Sequence, residues 1–418
     1  MKVAIVNQPW NHAPPTTGGS IAIWTWEVAR RLAKDAAVDE VLVYARRNPG
    51  QPEEEVVEGV RCIRFPISDD LRVLKGFGIL SRRLGISPYP FNSKVFYRSY
   101  MGKVARDLGR RGVDIVHLHN FSQYVPLVRR HVGGARVILH MHCEWLTQLK
   151  RSTIARRLRS ADAVFGCSGY ITGKIRDRFP DFAPRCHVVY NGVDTKVFTP
   201  DPEADAGGGR PGRLLYVGRI SPEKAIHDLI DAVARVVSRI PEVRLDVVGP
   251  DAETPRQYIV DLSDDSRVKA LASWYDGNYH DRLVKMAASR LGDRVRFVGL
   301  LAPDQLPEHY RRADLLLNPS VSESFGMSLV EAMACGTPVL ATRVGGMPEI
   351  VEHGKTGMLV APGDPIVLAD AITGLLGDAA LRESMRGSCR DRAVNLFSWD
   401  QVARSVADRY RDTMEVAD

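Results

Sequence analysis

Short runs of aliphatic and β-branched residues recur along the chain with room for one helix between most of them. In the first half they fall at 2–7, 40–45, 61–66, 114–119, 136–142 and 163–168. After residue 212 they fall at 213–218, 244–249, 294–299, 314–318 and 338–342. Many are nearly continuous in Val, Ile and Leu instead of alternating, the pattern of parallel strands covered on both faces. The intervening segments carry helical spacing, as in Ile226, Leu229, Ile230, Val233 and Val237. Strand and helix in alternation predict an α/β fold built from doubly wound parallel sheets.

One stretch breaks the pattern. Residues 199–212 are rich in Gly, Pro, Asp and Ala and have no periodicity, so they read as a linker between two Rossmann-like domains. The expected organisation is an N-terminal domain over 1–198, a linker over 199–212 and a C-terminal domain over 213–396. A final helix over 397–418 is a candidate to cross back to the first domain. Ser398 and Gln401 form a capping-box pattern there, ahead of an apolar stripe of Trp399, Val402, Ala403, Val406, Ala407 and Tyr410. Ligands of such folds sit at the carboxyl ends of the strands, and a cleft between the two domains is the expected site. Segment 252–290 is polar and aromatic, longer than an ordinary connection, and its sequence assigns it no role.

Composition narrows the classes. Of 418 residues, 44% are hydrophobic and 26% charged, which is ordinary for a folded globular chain. No apolar run reaches the length of a membrane span, and the N-terminus enters a strand without a signal-peptide pattern. Six scattered cysteines form no CxxC. The expectation is therefore a cytoplasmic protein without disulfides. The net charge of +7 divides into +14 over residues 1–200 and −7 over the rest. The basic half is a candidate to meet an acidic acceptor or the surface of a membrane, and nothing points to nucleic acid.

The strongest chemical signal is Glu323-Ser-Phe-Gly-Met-Ser-Leu-Val-Glu331, followed by Ala-Met-Ala-Cys-Gly-Thr-Pro-Val. A strand ends near Asn318, and a helix is expected to start near 324–326 and run to about 334. The amides of Phe325, Gly326, Met327, Ser328 and Leu329 would then lack partners and, with the helix dipole, offer a diphosphate site. Glu323 would lie at the anion end and Glu331 about two turns along. A nucleotide sugar has that layout, with the sugar near Glu323 and ribose hydroxyls near Glu331. The second signal is Val217-Gly-Arg-Ile-Ser-Pro-Glu-Lys224. Ser221 as N-cap and Pro222 at the first helical position put Lys224 in a first turn, where a cation is disfavoured unless an anion compensates. Arg219 and Lys224 are thus candidates to clamp a diphosphate and stabilise it as a leaving group.

These motifs resemble those of retaining glycosyltransferases of family 4, which have the GT-B fold. The likeness continues through Ala334–Val339, Gly345-Gly-Met-Pro-Glu-Ile350 and Gly354-Lys-Thr-Gly357, and covers essentially the whole chain. The resemblance implies two Rossmann-like domains with parallel sheets facing across a cleft. It also implies that Arg219 and Lys224 bind the donor diphosphate and that Gly19, in Thr16-Thr-Gly-Gly-Ser20, lies near the donor phosphate or the acceptor. One departure is Ala225, where the family usually has glycine. Four histidines end two strands: His117 and His119 on one, His140 and His142 on the other. Each pair shares a strand face and could converge on a metal, but no carboxylate partner is evident. His142 matches the family histidine that faces the transferred sugar. His119 suits either the acceptor side or a structural role, and His117 and His140 a structural one. Arg296 lies on the strand where the family holds the nucleotide base, and is equally readable as a surface arginine.

The expected activity is transfer of a sugar from a nucleotide sugar, with UDP as the commonest base in the family, to an unidentified acceptor with retention of configuration. Catalytic candidates are Glu323, His142, Arg219 and Lys224. No cofactor or metal is expected, since the two cations supply the positive charge and no DxD motif ends a strand. A sugar-nucleotide epimerase on the same fold is the alternative, and a non-catalytic sugar-binding protein a more distant one.

Overall fold

The computed structural model describes residues 1–16, 19–84, 92–201 and 212–415. They divide into two compact units, one formed by Met1–Asn191 together with the chain from Trp399 onward, the other by Gly192–Ser398. Most of the expected linker, 202–211, lies outside the described residues, as do Thr17 and Gly18 of the glycine-rich loop.

The first unit holds an eight-stranded sheet. Its strands are β1 (Lys2–Val6), β2 (Glu40–Arg46), β3 (Glu54–Val57), β4 (Val60–Phe65), β5 (Ile115–His119), β6 (Arg136–Met141), β7 (Ala163–Gly166) and β8 (Cys186–Val188). They lie in the order β3-β4-β2-β1-β5-β6-β7-β8. All neighbours are parallel except β3, which returns antiparallel on β4 at the edge. The central register sets Val3 beside both Val41 and Ile115, so the most apolar runs meet in the middle. Ser20–Leu32 and the C-terminal helix Trp399–Glu415 pack against each other in this unit. All six residues of the predicted C-terminal stripe are buried. Burying that many apolar side chains, at about 1.5–3 kcal/mol for each large one, is what holds the helix there.

The second unit holds a six-stranded, wholly parallel sheet. Its strands are β9 (Arg213–Val217), β10 (Arg244–Val248), β11 (Val295–Gly299), β12 (Leu315–Asn318), β13 (Val339–Thr342) and β14 (Gly357–Val360), in the order β11-β10-β9-β12-β13-β14. The strand order reverses beside β9, and β9 and β12 are neighbours although β10 and β11 intervene in sequence. That is a topological switch point, where the loops leaving β9 and β12 diverge and leave a crevice at the carboxyl ends. Those two loops carry Arg219–Lys224 and Val321–Gly326. Among the described residues no helix is long and apolar enough to cross a membrane, and all six cysteines are free.

Candidate active site

The loop after β9 departs from the expected helix start. Pro222–Lys224 is a single 3₁₀ turn, and the long helix Ile226–Val237 begins only after Ala225, which is left-handed (φ 50°, ψ 39°). Lys224 therefore precedes the helix instead of occupying its first turn. Its compensating anion is a protein group: Nζ lies 2.6 Å from Oε2 of Glu323, with both side chains largely buried. Burial alone would raise the Glu323 carboxyl. The charge and hydrogen bond of Lys224, the backbone N–H of Phe325 and the nearby Arg219 outweigh it and hold the carboxyl below its ordinary range.

Two glycines make this geometry possible. Gly345 stands so close to the Glu323 backbone that a Cβ on it would lie 1.6 Å from the Glu323 carbonyl oxygen, and its φ is +55°. The neighbouring Gly346 N–H donates to that carbonyl at 3.2 Å. Gly326, with φ 111°, then turns the chain into the helix Met327–Ala334. A Cβ there would meet Leu329 Cδ1 at 3.0 Å. The glycines of two sequence motifs thus close one loop.

The helix starts later than expected, and this corrects two candidates. The Phe325 amide serves Glu323, and its ring is buried against Phe397 with centroids 5.8 Å apart. The Leu329 amide donates to Gly326 O at 3.1 Å. Among the described residues the amides of Gly326, Met327 and Ser328 have no such partner. These three are the donors left for an anion at the helix start. Glu331 lies further along the helix and accepts a 2.6 Å hydrogen bond from Tyr310 Oη. Burial raises its carboxyl to about 7, against the lowering effect of that bond.

Arg219 is half exposed. Its Nη1 donates to Thr254 Oγ1 at 2.6 Å, and its Nη2 lies 3.5 Å from Glu223. Glu223 is the residue that sequence reading missed. It is 2% exposed and accepts from Ser221 Oγ, from Thr254 Oγ1 at 3.1 Å and from Tyr275 Oη at 3.2 Å. In sequence it looks like an ordinary acidic residue beside a lysine. Only the fold shows that segment 252–290 closes over it. Val260, Leu271, Trp274 and Tyr275 of that segment pack with Ala225 and Val321 in one apolar cluster. The long connection is therefore the outer wall of the Arg219–Lys224 loop.

Arg296 lies near the amino end of β11, the opposite end of the sheet from Arg219, and is paired with Asp246 of β10 at 2.9 and 2.6 Å. It lines an arginine-rich pocket with Arg213, Arg244, Arg294 and Arg312. The Asp246 pairing answers its charge locally, and its place near the amino end of β11, away from the carboxyl-end loops, suits the surface-strand reading.

In the first unit, Gly19 is the N-cap of Ser20–Leu32. A Cβ on it would meet no described atom nearer than 3.9 Å, so the surrounding protein does not itself demand a glycine there. The four histidines form one cluster around Trp24, with ring centroids 4.8 to 6.2 Å from the indole; His117, His119 and His140 are buried and His142 is partly exposed. His117 Nδ1 faces Tyr410 Oη at 2.8 Å and its Nε2 faces His140 Nδ1 at 3.2 Å. His119 Nδ1 faces His142 Nε2 at 3.0 Å and its Nε2 faces Thr25 Oγ1 at 3.1 Å. Burial first, then neighbouring imidazoles, hold His117 at about 3 and push His119 and His140 well below the ordinary value. Burial likewise holds His142 at about 3, against the raising effect of Asn191. All four rings are neutral at physiological pH. One nitrogen each of His117, His119 and His140 lies within 4.8 Å of the others, so a transition metal could draw three ligands here. Both nitrogens of His117 and of His119 already face hydrogen-bond partners, which such an ion would have to displace.

Comparison with known proteins bears on the family and the fold. Residues 18–197 match Glycosyltransferase Family 4, and residues 203–392 match Glycosyl transferases group 1. The chain is 30% identical to a D-inositol 3-phosphate glycosyltransferase of Salinispora arenicola, over 96% of this chain and 89% of that protein. It is 25% identical to spore coat protein SA of Bacillus subtilis, over 98% and 99%. Its fold matches Anabaena HepE, solved in complex with UDP and glucose, with a TM-score of 0.69, 21% identity and coverage of 99% and 100%. With the paired-glutamate segment, the Arg219–Lys224 loop and two α/β units in place, the chain belongs to the family 4 glycosyltransferases of GT-B fold.

Proposed function

We propose that the chain transfers a hexose from a nucleoside-diphosphate sugar, with UDP the first base to test, to an acceptor with retention of anomeric configuration and without a metal. The observation that carries this reading is the Lys224–Glu323 pair at the ends of β9 and β12. It stands three residues before the unpartnered amides of Gly326, Met327 and Ser328. A cation and a helix start there suit a diphosphate that leaves with increasing negative charge. Arg219, half exposed on its loop, supplies a second cation. Glu323 is engaged with Lys224, which disfavours it as a covalent nucleophile and favours attack from the leaving-group face, with the departing phosphate as base. Its carboxylate then serves the positive charge that develops at the sugar carbon. His142 acts on the transferred sugar, and Glu331 receives the ribose. Gly19 takes its place beside donor or acceptor. The excess of cations in residues 1–200 favours an anionic acceptor, such as a phosphorylated polyol or a lipid-linked phosphate.

The test is a thermal-shift panel of UDP-, GDP- and ADP-sugars, followed by turnover with phosphorylated and neutral acceptors. A donor at 100 times its Kd should stabilise by about 2.7 kcal/mol. Proton NMR of the fresh product should show the donor's anomeric configuration, and turnover should survive EDTA. An inverted product would overturn the reading of Glu323. Loss of turnover on chelation, restored by Mg²⁺, would overturn metal independence. Formation of an epimer from donor alone would replace transfer with epimerisation.

A further inference from the structure

The histidine proposed to act on the transferred sugar is not isolated. From the interior outward, Asn7 Oδ1, Thr25 Oγ1, His119 and His142 form one line. Thr25 Oγ1 lies 3.4 Å from Asn7 Oδ1 and 3.1 Å from His119 Nε2, and His119 Nδ1 lies 3.0 Å from His142 Nε2. Thr25 is completely buried and His119 is 2% exposed, so water does not offer either ring nitrogen of His119 an alternative partner.

Each neutral imidazole has one N–H and one bare nitrogen. In a line of such rings, fixing the proton at one end fixes it at every ring. Asn7 Oδ1 already accepts from Asn11 Nδ2 at 2.9 Å and from the Gln8 amide at 3.2 Å. Its 3.4 Å distance from Thr25 is long for an O–H donor. The Thr25 hydroxyl proton is better placed on His119 Nε2. His119 must then carry its own proton on Nδ1 and donate to His142 Nε2. His142 is left with its proton on Nδ1. The outer end of the line asks for the same state. His142 Nδ1 and Asn191 Oδ1 are both buried without a completed hydrogen bond, and the Asn191 side chain acts on the His142 ring. An N–H at Nδ1 suits the Asn191 oxygen, whereas a bare nitrogen there would set two acceptors against each other.

We propose that Thr25 and His119 are positioning residues that fix His142 in the Nδ1–H tautomer, so that its ring, held by His119 at Nε2 and by Asn191 at Nδ1, keeps one orientation against the transferred sugar. The contact with sugar rests on the function proposed above, whereas the tautomer does not. No proton is transferred in the resting chain of bonds. The line selects a state and holds the ring orientation, as an oriented second partner does for a functional histidine.

The experiment combines ¹⁵N NMR of histidine-labelled protein with steady-state kinetics on the full chain. In the wild type, the His142 Nδ1 shift should be that of a protonated nitrogen and the Nε2 shift that of a bare one. Thr25→Val keeps the shape and removes the donor. It should weaken the selection, so that an Nε2–H form of His142 becomes detectable beside the Nδ1–H form that Asn191 still favours, and lower kcat about tenfold, with donor KM within about twofold. Thr25→Ser restores a hydroxyl and should restore both readouts. A wild-type His142 already in the Nε2–H form would overturn the proposal. So would an unchanged tautomer in Thr25→Val, a Thr25→Ser variant as impaired as Thr25→Val, or a stoichiometric metal ion on the cluster as purified. If the tautomer shifts as expected but no nucleotide sugar is turned over by the wild type, the relay stands and the proposed function fails.

Discussion

Around Lys224, cations and carboxylates stand in pairs: Lys224 with Glu323, both largely buried, and half-exposed Arg219 with buried Glu223. Around Trp24, four imidazoles are packed ring against ring, and none is shifted by a neighbouring carboxylate. The first region sets the state of Glu323 by opposite charge, strongly enough to outweigh its burial. The second sets the state of its histidines chiefly by burial, with the neighbouring imidazoles adding to it. A pair of charges tolerates a half-open pocket and can be drawn apart by an anionic ligand. A set of neutral rings needs exclusion of water and cannot compensate a charge that enters. The two regions should therefore respond to different perturbations.

The largest expected effect comes from acid. The four histidines take up protons near pH 6.5 when the chain is unfolded, but only at far lower pH when it is folded. Below pH 6.5 the unfolded state thus binds more protons, and stability falls as pH falls. Each neutral buried histidine loses up to about 1.4 kcal/mol per pH unit, so the cluster can remove about 5 kcal/mol by pH 5.5. Urea midpoints at pH 7.5 and 5.5 measure the loss, and ring ¹³C shifts should stay flat between those values in the folded protein. Rings that titrate near 6.5 without unfolding would show that water reaches the cluster and would dissolve the contrast.

Next comes the charged region. Lys224→Ala should lower kcat/KM with a nucleotide sugar by about 10³-fold, because a cation is lost where charge develops and Glu323 is left without its partner. The Glu323 carboxyl should titrate at higher pH in that variant. Glu323→Gln should act mainly on kcat, by about 10²-fold. Near-wild-type turnover in Lys224→Ala would remove the donor site from this loop.

How far the sequence was readable follows the same division. The central strands, the helix 226–237 and the C-terminal stripe were legible because their apolar positions are many and regularly spaced. β3, β8 and β14 were not: β7, β12 and β13 are as short but wholly buried and largely apolar, whereas these three carry partly exposed positions, β3 most of all as an edge strand. Lys224 was legible as a charge that breaks a local rule, Arg219 as a second cation beside it, and Glu323 from its spacing to Glu331 across an expected helix start. Their partners were not. Glu223 gives no sign of burial in sequence because the covering segment, Thr254 to Tyr275, arrives from some thirty to fifty residues away. The helix start was placed too early because Ser324-Phe-Gly looks like a cap, whereas the Phe325 amide is claimed by Glu323. Arg296 was left open between a base-binding and a surface role, and its pairing with Asp246, which register sets opposite it, was not legible because the two residues are fifty positions apart.

A smaller effect sharpens the contrast within one residue type. Glu323 is held ionised by Lys224, whereas burial lifts Glu331 to about 7. Tyr310 occupies Glu331 Oε2, so a ribose hydroxyl must be met by the remaining oxygen, and best by the ionised form. Donor KM should therefore fall as pH rises through about 7. Glu331→Gln should raise donor KM about tenfold with little change in kcat, and its KM should lose that pH dependence. An equal loss of kcat would place Glu331 in the chemistry and erase the distinction between the two glutamates.

The smallest effect concerns the turn that presents Lys224. Ala225 holds the left-handed conformation that glycine adopts without strain, which costs an alanine about 1–2 kcal/mol. Its methyl is fully buried and packs with Val260, Leu271 and Val321. Removing that methyl costs about 0.8 kcal/mol, and glycine adds about 0.5–1 kcal/mol of unfolded-state entropy. The terms nearly cancel. Ala225→Gly should leave the unfolding free energy within about 1 kcal/mol of wild type and kcat/KM within about twofold. The turn is already in the required shape, and the Lys224–Glu323 pair does not depend on the methyl. A fall of tenfold or more in kcat/KM at unchanged stability would mean that the wall formed by residues 252–290 positions Lys224 through Ala225. The charged region would then rely on apolar packing as much as the histidine cluster does.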